Sequence, residues 1–364
     1  MTDATSRRRI LLGSLAAGAA AALPQAASAM EPAPEGTKRG AQRLSLEQLR
    51  HWESLAYGMF IHFGMSTFDG KELSDGRSPA TLYAPDALDV DQWVSVARDA
   101  GMRYAVLTAK HVAGHCLWPS RHTLYTIANS YDRTDVCAKF VDSCGKRGVL
   151  PGFYYCSWDN HNRFGSRTPS DEGSRWGNWA GVPAEGQLLA PFTTSVYQNF
   201  QTLQLTELLT QYGPVAETWI DIPGVLGPGY REFLYRHVAR LQPETVVMMN
   251  SGIGDGESYD TAYAWPSDLV AIERALPPET GHRRWREIEG REYYLPGEVC
   301  DPLGKAWFHV EGDAPRPDAA LVDLLQACRR RGANLLLDVP PDRHGRIPDA
   351  SVRALMRLRK NAGL

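Results

Sequence analysis

The sequence predicts an α/β fold in which about eight parallel strands close into a (β/α)8 barrel of the TIM type. Short apolar runs, β-branched and aromatic and without polar alternation, recur along the chain, as strands buried on both faces require. Amphipathic helical stretches separate them, and strand–helix alternation with right-handed crossovers builds a parallel sheet. Setting aside a leader of 29 residues leaves about 335, a size that one barrel with insertions commonly reaches.

The leader comes first. Ser6-Arg7-Arg8-Arg9-Ile10-Leu11 has the form of a twin-arginine export signal. An Ala-rich apolar stretch follows from Ile10 to Leu23, and Ala27-Ser28-Ala29 has the small-x-small pattern of a signal peptidase site. Residues 1–29 are read as a signal peptide, and the stretch is too short to span a bilayer permanently. The mature chain is expected to start near Met30, periplasmic or secreted, with no membrane anchor because no cysteine stands at the cleavage site. Losing Arg7, Arg8, Arg9 and Asp3 removes a net +2 and takes the charge from −3 to −5. That balance favours solubility and gives no reason to expect nucleic acid or another polyanion as partner. Residues 30–45, with a Pro/Gly/charge stretch from Glu31 to Gly40, read as a linker, and 46–364 as one catalytic domain.

The strand candidates are Tyr57–Phe63, Tyr104–Ala109, Leu150–Tyr155, Ala216–Ile222, Thr245–Asn250, Leu269–Ile272, Ala306–Val310 and Leu335–Val339. Helical patterns lie at Asp91–Ala100, Thr134–Gly148, Thr194–Tyr212, Tyr230–Leu241 and Asp318–Arg331, while Ala264–Trp307, rich in Pro, Arg and Glu, yields no helix. Six cysteines in an exported chain invite a disulfide reading. Against it, Cys137 and Cys144 fall seven residues apart on one helix, about 10 Å between Cα atoms and too far for a bridge. With neither CxxC nor zinc spacing present, buried free thiols are expected.

A barrel of this kind does its chemistry at the C-terminal ends of its strands. The polar and aromatic residues there are His62; Lys110 and His111, with His115 and Trp118 nearby; Tyr155 and Trp158; Trp219 and Asp221; Asn250; and Glu273. Any one of them also fits an ordinary loop or capping residue. Asp221 is the sharpest, since Trp219-Ile220-Asp221-Ile222-Pro223 ends a hydrophobic strand on a carboxylate whose burial without a task would be costly. Trp and Tyr stack on the apolar faces of sugar rings while His, Asn and Lys bind hydroxyls, so the set suggests carbohydrate.

The chain resembles the α-L-fucosidases of glycoside hydrolase family 29 from about Leu49 to its C-terminus. The matching stretches are Gly58–Gly64, Leu107–His111, Cys116-Leu117-Trp118, Gly152–Tyr155, Trp219-Ile220-Asp221, Gly297-Glu298-Val299-Cys300 and Gly332–Val339. The resemblance implies retaining hydrolysis of fucosylated glycans or glycosides, with Asp221 as nucleophile and His62, His111, Tyr155 and Trp219 lining the fucose subsite. It implies no metal or organic cofactor. A retaining enzyme needs a second carboxylate about 5–5.5 Å away, kept protonated near neutrality to act as acid and then base. Glu273, followed by Arg274 and a Pro pair, matches that position best; Glu298 is the alternative. Either could instead be a structural carboxylate paired with an arginine.

Three positions depart from the family pattern: Val112 replaces a sugar-binding histidine, Ser251 an arginine, and Ile222 the glycine usual after the nucleophile. The β-sandwich that often follows the barrel is not expected within this chain. Two further readings remain: a metal-dependent hydrolase using His62, His111, His115 and Asp221, which lacks the usual His-x-His pair after the first strand, and a non-catalytic sugar-binding barrel.

Overall fold

The computed structural model describes residues 38–162 and 193–364. The signal-peptide reading of residues 1–29 and the first part of the linker lie outside the described residues. In chain order the helices are α1 (Leu46–Glu53), α2 (Met65–Asp69), α3 (Val90–Asp99), α4 (Val136–Arg147), α5 (Ser195–Gln211), α6 (Pro228–Leu241), α7 (Thr261–Ala264), α8 (Asp318–Arg330) and α9 (Asp349–Ala362). The strands are β1 (Tyr57–Ile61), β2 (Tyr104–Lys110), β3 (Leu150–Cys156), β4 (Glu217–Asp221), β5 (Val246–Met249), β6 (Val270–Glu273), β7 (Trp285–Ile288), β8 (Arg291–Tyr294), β9 (Gly297–Pro302) and β10 (Ala333–Asp338).

Eight of these strands form one sheet in the order β5-β4-β3-β2-β1-β10-β9-β6, every pairing parallel. This is the expected (β/α)8-type barrel. It closes between β5 and β6 by side chains as much as by backbone. The Asp268 amide donates to the Val247 carbonyl at 2.8 Å, the Asp268 carboxylate accepts from the Val247 amide at 2.9 Å, and Ser267 Oγ accepts from the Met249 amide at 3.1 Å.

Seven of the eight expected strands are found; the eighth is not. Ala306–Val310 is loop, and the barrel strand in that region is β9. The polar Glu298 and Asp301 interrupt the apolar run that marks a buried strand, whereas the aromatics of the loop imitate one: Trp307 and Phe308 each pack 5.2 Å from the His62 ring. The stretch without placed helices holds instead the antiparallel hairpin β7–β8. Four helices lie outside the expected helical stretches, the short α2 and α7 and the longer α1 and α9, although α1 is announced by a capping box in which Ser45 and Gln48 bond each other's backbone amides.

From Lys38 onward the stretch read as linker is bound to the domain. Gly40 donates to the Glu292 carbonyl at 2.8 Å and Glu292 to that of Lys38 at 3.1 Å, while Arg43 pairs with the buried Asp268 carboxylate at the seam. All six cysteines are buried and free, as expected.

Inside the barrel Gly58 has a specific task. A Cβ there would come within 2.6 Å of the Tyr104 ring. Its absence lets Tyr104, on β2, lie across β1 and donate its hydroxyl at 2.7 Å to Glu298 on β9.

Candidate active site

The C-terminal ends of the strands open into a cavity of about 840 Å³. β4 builds its floor by strand parity, since Glu217, Trp219 and Asp221 alternate onto the inner face. Asp221, the last of the three, accepts two hydrogen bonds: Tyr154 OH donates to Oδ2 at 2.6 Å and Asn250 Nδ2 to Oδ1 at 2.8 Å. The same Asn250 nitrogen donates to Glu273 Oε2 at 3.0 Å. Asn250 Oδ1 accepts from the Gly252 amide at 2.9 Å, which settles which end of the side-chain amide faces the carboxylates.

One nitrogen touching both acids limits their facing oxygens to a separation of roughly 6 Å, short of the roughly 6.5–9.5 Å of an inverting pair and near the 5–5.5 Å of a retaining one. Burial, and then the charge of Asp221, push the Glu273 carboxyl up to about 7.

Both acids end their strands, and each is followed by a non-glycine residue in the left-handed region, Ile222 and Arg274, both at φ 51°. For a β-branched residue such as Ile222 that conformation costs about 1–2 kcal/mol, and it turns the chain sharply away behind the carboxylate. The glycine usual in the family would relieve it.

One wall of the cavity is an aromatic ladder across three neighbouring strands. Trp219 and Tyr154, register partners on β4 and β3, stack at 5.5 Å and 24°, and His111 stacks on Tyr154 at 5.5 Å and 19°. His62 completes the wall, with Nδ1 committed to Asp338 Oδ1 at 2.8 Å so that Nε2 is left for the cavity. Burial pushes the His62 imidazolium down to about 3 and that of His111 well below the usual range, so both rings are neutral at neutral pH. His111 Nδ1 is buried without a partner in the protein.

Asp221, Glu273, His62, His111, Trp158, Trp219 and Asn250 thus line one cavity. Lys110, His115, Trp118 and Tyr155 do not. Lys110 Nζ is fully buried, held by Asp159 at 2.8 Å and Tyr155 OH at 2.9 Å, and Tyr155 OH in turn donates to Gln204 on α5. His115 bonds Ser130, and Trp118 Nε1 donates to Glu207. The reason is parity: consecutive strand residues face opposite sides, so Tyr154 enters the cavity and Tyr155 the helical layer.

Glu72, Tyr263, Arg274 and Trp307 also line the cavity and were not singled out; Tyr263 stands on the one-turn helix α7 and the others on loops or beyond strand ends, where no periodicity marks them. Val112 forms an apolar patch of the wall, while Ser251 points back toward the Ala271 carbonyl.

Glu298 lies one layer below, 1 % exposed and outside the cavity lining. Its oxygens are taken by Tyr104 OH and by Trp219 Nε1, the latter at 3.0 Å. Burial raises both it and its neighbour Glu217, and the charge of Glu298 adds to the rise at Glu217. As for the metal reading, His115 does not line the cavity with His62, His111 and Asp221, and among the described residues no three His, Cys, Asp or Glu side chains converge as a metal site.

Residues 77–360 match the family model for alpha-L-fucosidase. Among characterised relatives, alpha-L-fucosidase 1 of Arabidopsis thaliana is 28% identical over 325 residues, covering 85% of this chain and 58% of the relative; this chain spans a little over half the length of the curated relatives it matches first. Of solved structures, alpha-L-fucosidase isoenzyme 1 of Paenibacillus thiaminolyticus superposes with a TM-score of 0.69 at 25% identity, covering 87% of this chain and 76% of that one. A Lactobacillus casei alpha-L-fucosidase in complex with alpha-L-fucose shares the fold, with a TM-score of 0.68 at 22% identity over 87% of this chain and 98% of that one. With the family model extending over most of the barrel and its strand-end cavity, the chain belongs to the alpha-L-fucosidase family.

Proposed function

We propose that this chain is an exo-acting retaining α-L-fucosidase, with Asp221 as nucleophile and Glu273, not Glu298, as acid and base. The observation that carries the mechanism is the Asn250 amide shared by the two carboxylates. Family membership supports the choice of sugar.

In the first step an Asp221 oxygen attacks the anomeric carbon as the bond to the leaving oxygen breaks, and the Glu273 proton passes to that oxygen. In the second, a water gives its proton to the Glu273 carboxylate and its oxygen to the anomeric carbon, releasing Asp221. Tyr154 and Asn250 hold the nucleophile's lone pairs toward the sugar and stabilise its carboxylate when it departs. Glu298 cannot reach the cavity from beneath Trp219; its work is to hold that ring.

Aryl α-L-fucosides are hydrolysed, and a slow fluorinated fucosyl donor leaves one fucosyl adduct, on Asp221, in intact-mass and peptide analysis. Asp221→Asn loses turnover by orders of magnitude while still binding fucose. Turnover of another glycoside without any of fucosides would overturn the substrate, and an adduct elsewhere would overturn the mechanism.

A carboxyl raised to about 7 is protonated below that pH and loses its proton above it. The pH profile of kcat/KM therefore falls on the alkaline side with a midpoint near 7. Glu273→Gln removes that limb and costs about 10²–10⁴-fold with a poor leaving group, less with an activated one. A limb that survives Glu273→Gln and disappears in Glu298→Gln would reverse the assignment.

Export rests on the order of basic, apolar and small-residue segments in residues 1–29. Replacing Arg7 and Arg8 with lysine retains the chain in the cytoplasmic fraction; unchanged export would contradict the twin-arginine reading.

A further inference from the structure

We propose that the mouth of the cavity carries a leaving-group subsite for an oxyanion, a carboxylate or a sulfate on the aglycone, bound by Arg274 beside an apolar platform of Ile253 and Trp307. The proposal rests on the fucosidase reading and names the substrate class that the same site prefers.

Arg274 directly follows the proposed acid, so it flanks whatever group receives the Glu273 proton. Its left-handed backbone, with its amide bonded to the Cys300 carbonyl at 3.0 Å, sends the side chain over Trp307, where the guanidinium lies 4.8 Å from the ring centroid. One Nη2 bond, 3.1 Å to the Lys305 carbonyl, completes its anchoring. The stacked and tethered guanidinium is pre-oriented, so little rotamer freedom is lost when an anion binds.

Three observations mark it as a binding group and not a structural one. Among the described residues no carboxylate forms an ion pair with Arg274, whereas Arg43, Arg284 and Arg316 each have one. Among the described residues lining the cavity it is the only Lys or Arg, and the histidines there are neutral. Its remaining N–H donors match the planar fork by which arginine takes a carboxylate, and they also suit the oxygens of a sulfate.

The apolar half of the subsite lies beside it. Ile253 is 76 % exposed, uncommon for a large aliphatic side chain, and is tied next to the acid by the Gly254 amide donating to the Glu273 carbonyl at 3.2 Å. An aglycone with an apolar ring face and an anionic substituent would cover Ile253 and reach Arg274 together. A cavity of about 840 Å³ sits near the upper end of the roughly 300–1,000 Å³ of small-molecule sites and leaves room beyond one sugar ring.

The test compares kcat/KM for 4-carboxyphenyl, 4-sulfophenyl and neutral 4-carbamoylphenyl α-L-fucosides in the wild type, Arg274→Gln and Arg274→Lys. The neutral substrate normalises each variant for folding and for any change at Glu273. The anion-to-neutral ratio is expected to drop about five- to tenfold in Arg274→Gln, chiefly through KM, to recover partly in Arg274→Lys, and to shrink in the wild type as salt is raised. Whichever anion loses more identifies the oxyanion. Equal ratios in all three proteins, with the neutral fucoside hydrolysed, would overturn the subsite alone. No hydrolysis of any fucoside by the wild type would overturn the fucosidase reading and the subsite with it.

Discussion

The NH₂ group of Asn250 has two protons, and each is given to a different carboxylate. Much of the site follows from that division. It holds Asp221 and Glu273 at a spacing set by hydrogen-bond length, and at that spacing the charge of one acid opposes ionisation of the other. Glu273, desolvated and facing the charge of Asp221, keeps a proton toward neutrality. The amide is in turn fixed by the fold. Its backbone N–H reaches the Ile220 carbonyl at 2.9 Å, which seats Asn250 one strand from Asp221, and Asp268 and Ser267 draw β6 against β5 so that Glu273 arrives on the other side. The closure of the barrel thereby determines the carboxylate spacing.

A second carboxyl pair, Glu217 and Glu298, lies in the layer below and shows what the same residue types do without solvent or ligand. Glu298 is saturated by Tyr104 and Trp219, while both oxygens of Glu217 lack a protein donor. A neutral Glu217 is the form that burial tolerates. The two layers are joined by Trp219, whose Nε1 is anchored below and whose ring stacks on Tyr154, the donor to Asp221. Gly58 belongs to this chain of contacts, since without the space it leaves Tyr104 could not reach Glu298.

The barrel was legible because buried parallel strands announce themselves as apolar runs, and most helices because their polar and apolar faces alternate with the right period. β9 was harder to see because Glu298 and Asp301 sit within it, and the hairpin β7–β8 because neither strand has an apolar face of its own. At the site, residues closing an apolar strand, such as Asp221 and Trp219, could be read directly. Choosing between Tyr154 and Tyr155 required knowing which face of β3 looks inward. Choosing between Glu273 and Glu298 required the height of each along its strand. Arg274 and Glu72 carry no periodic signal, and only the folded chain brings them to the cavity.

The central claim is that the shared amide couples two carboxylates of which Glu273 is the proton-holding member. A ¹³C NMR titration of glutamate carboxyls, with Glu273 assigned by its loss in Glu273→Gln, measures this without reference to turnover. A midpoint near 7 in the wild type is expected, falling in Asp221→Asn without returning to the ordinary glutamate value, because burial outweighs the charge of Asp221 in raising it. A midpoint of about 4.3 in the wild type, or one indifferent to Asp221→Asn, would contradict the account.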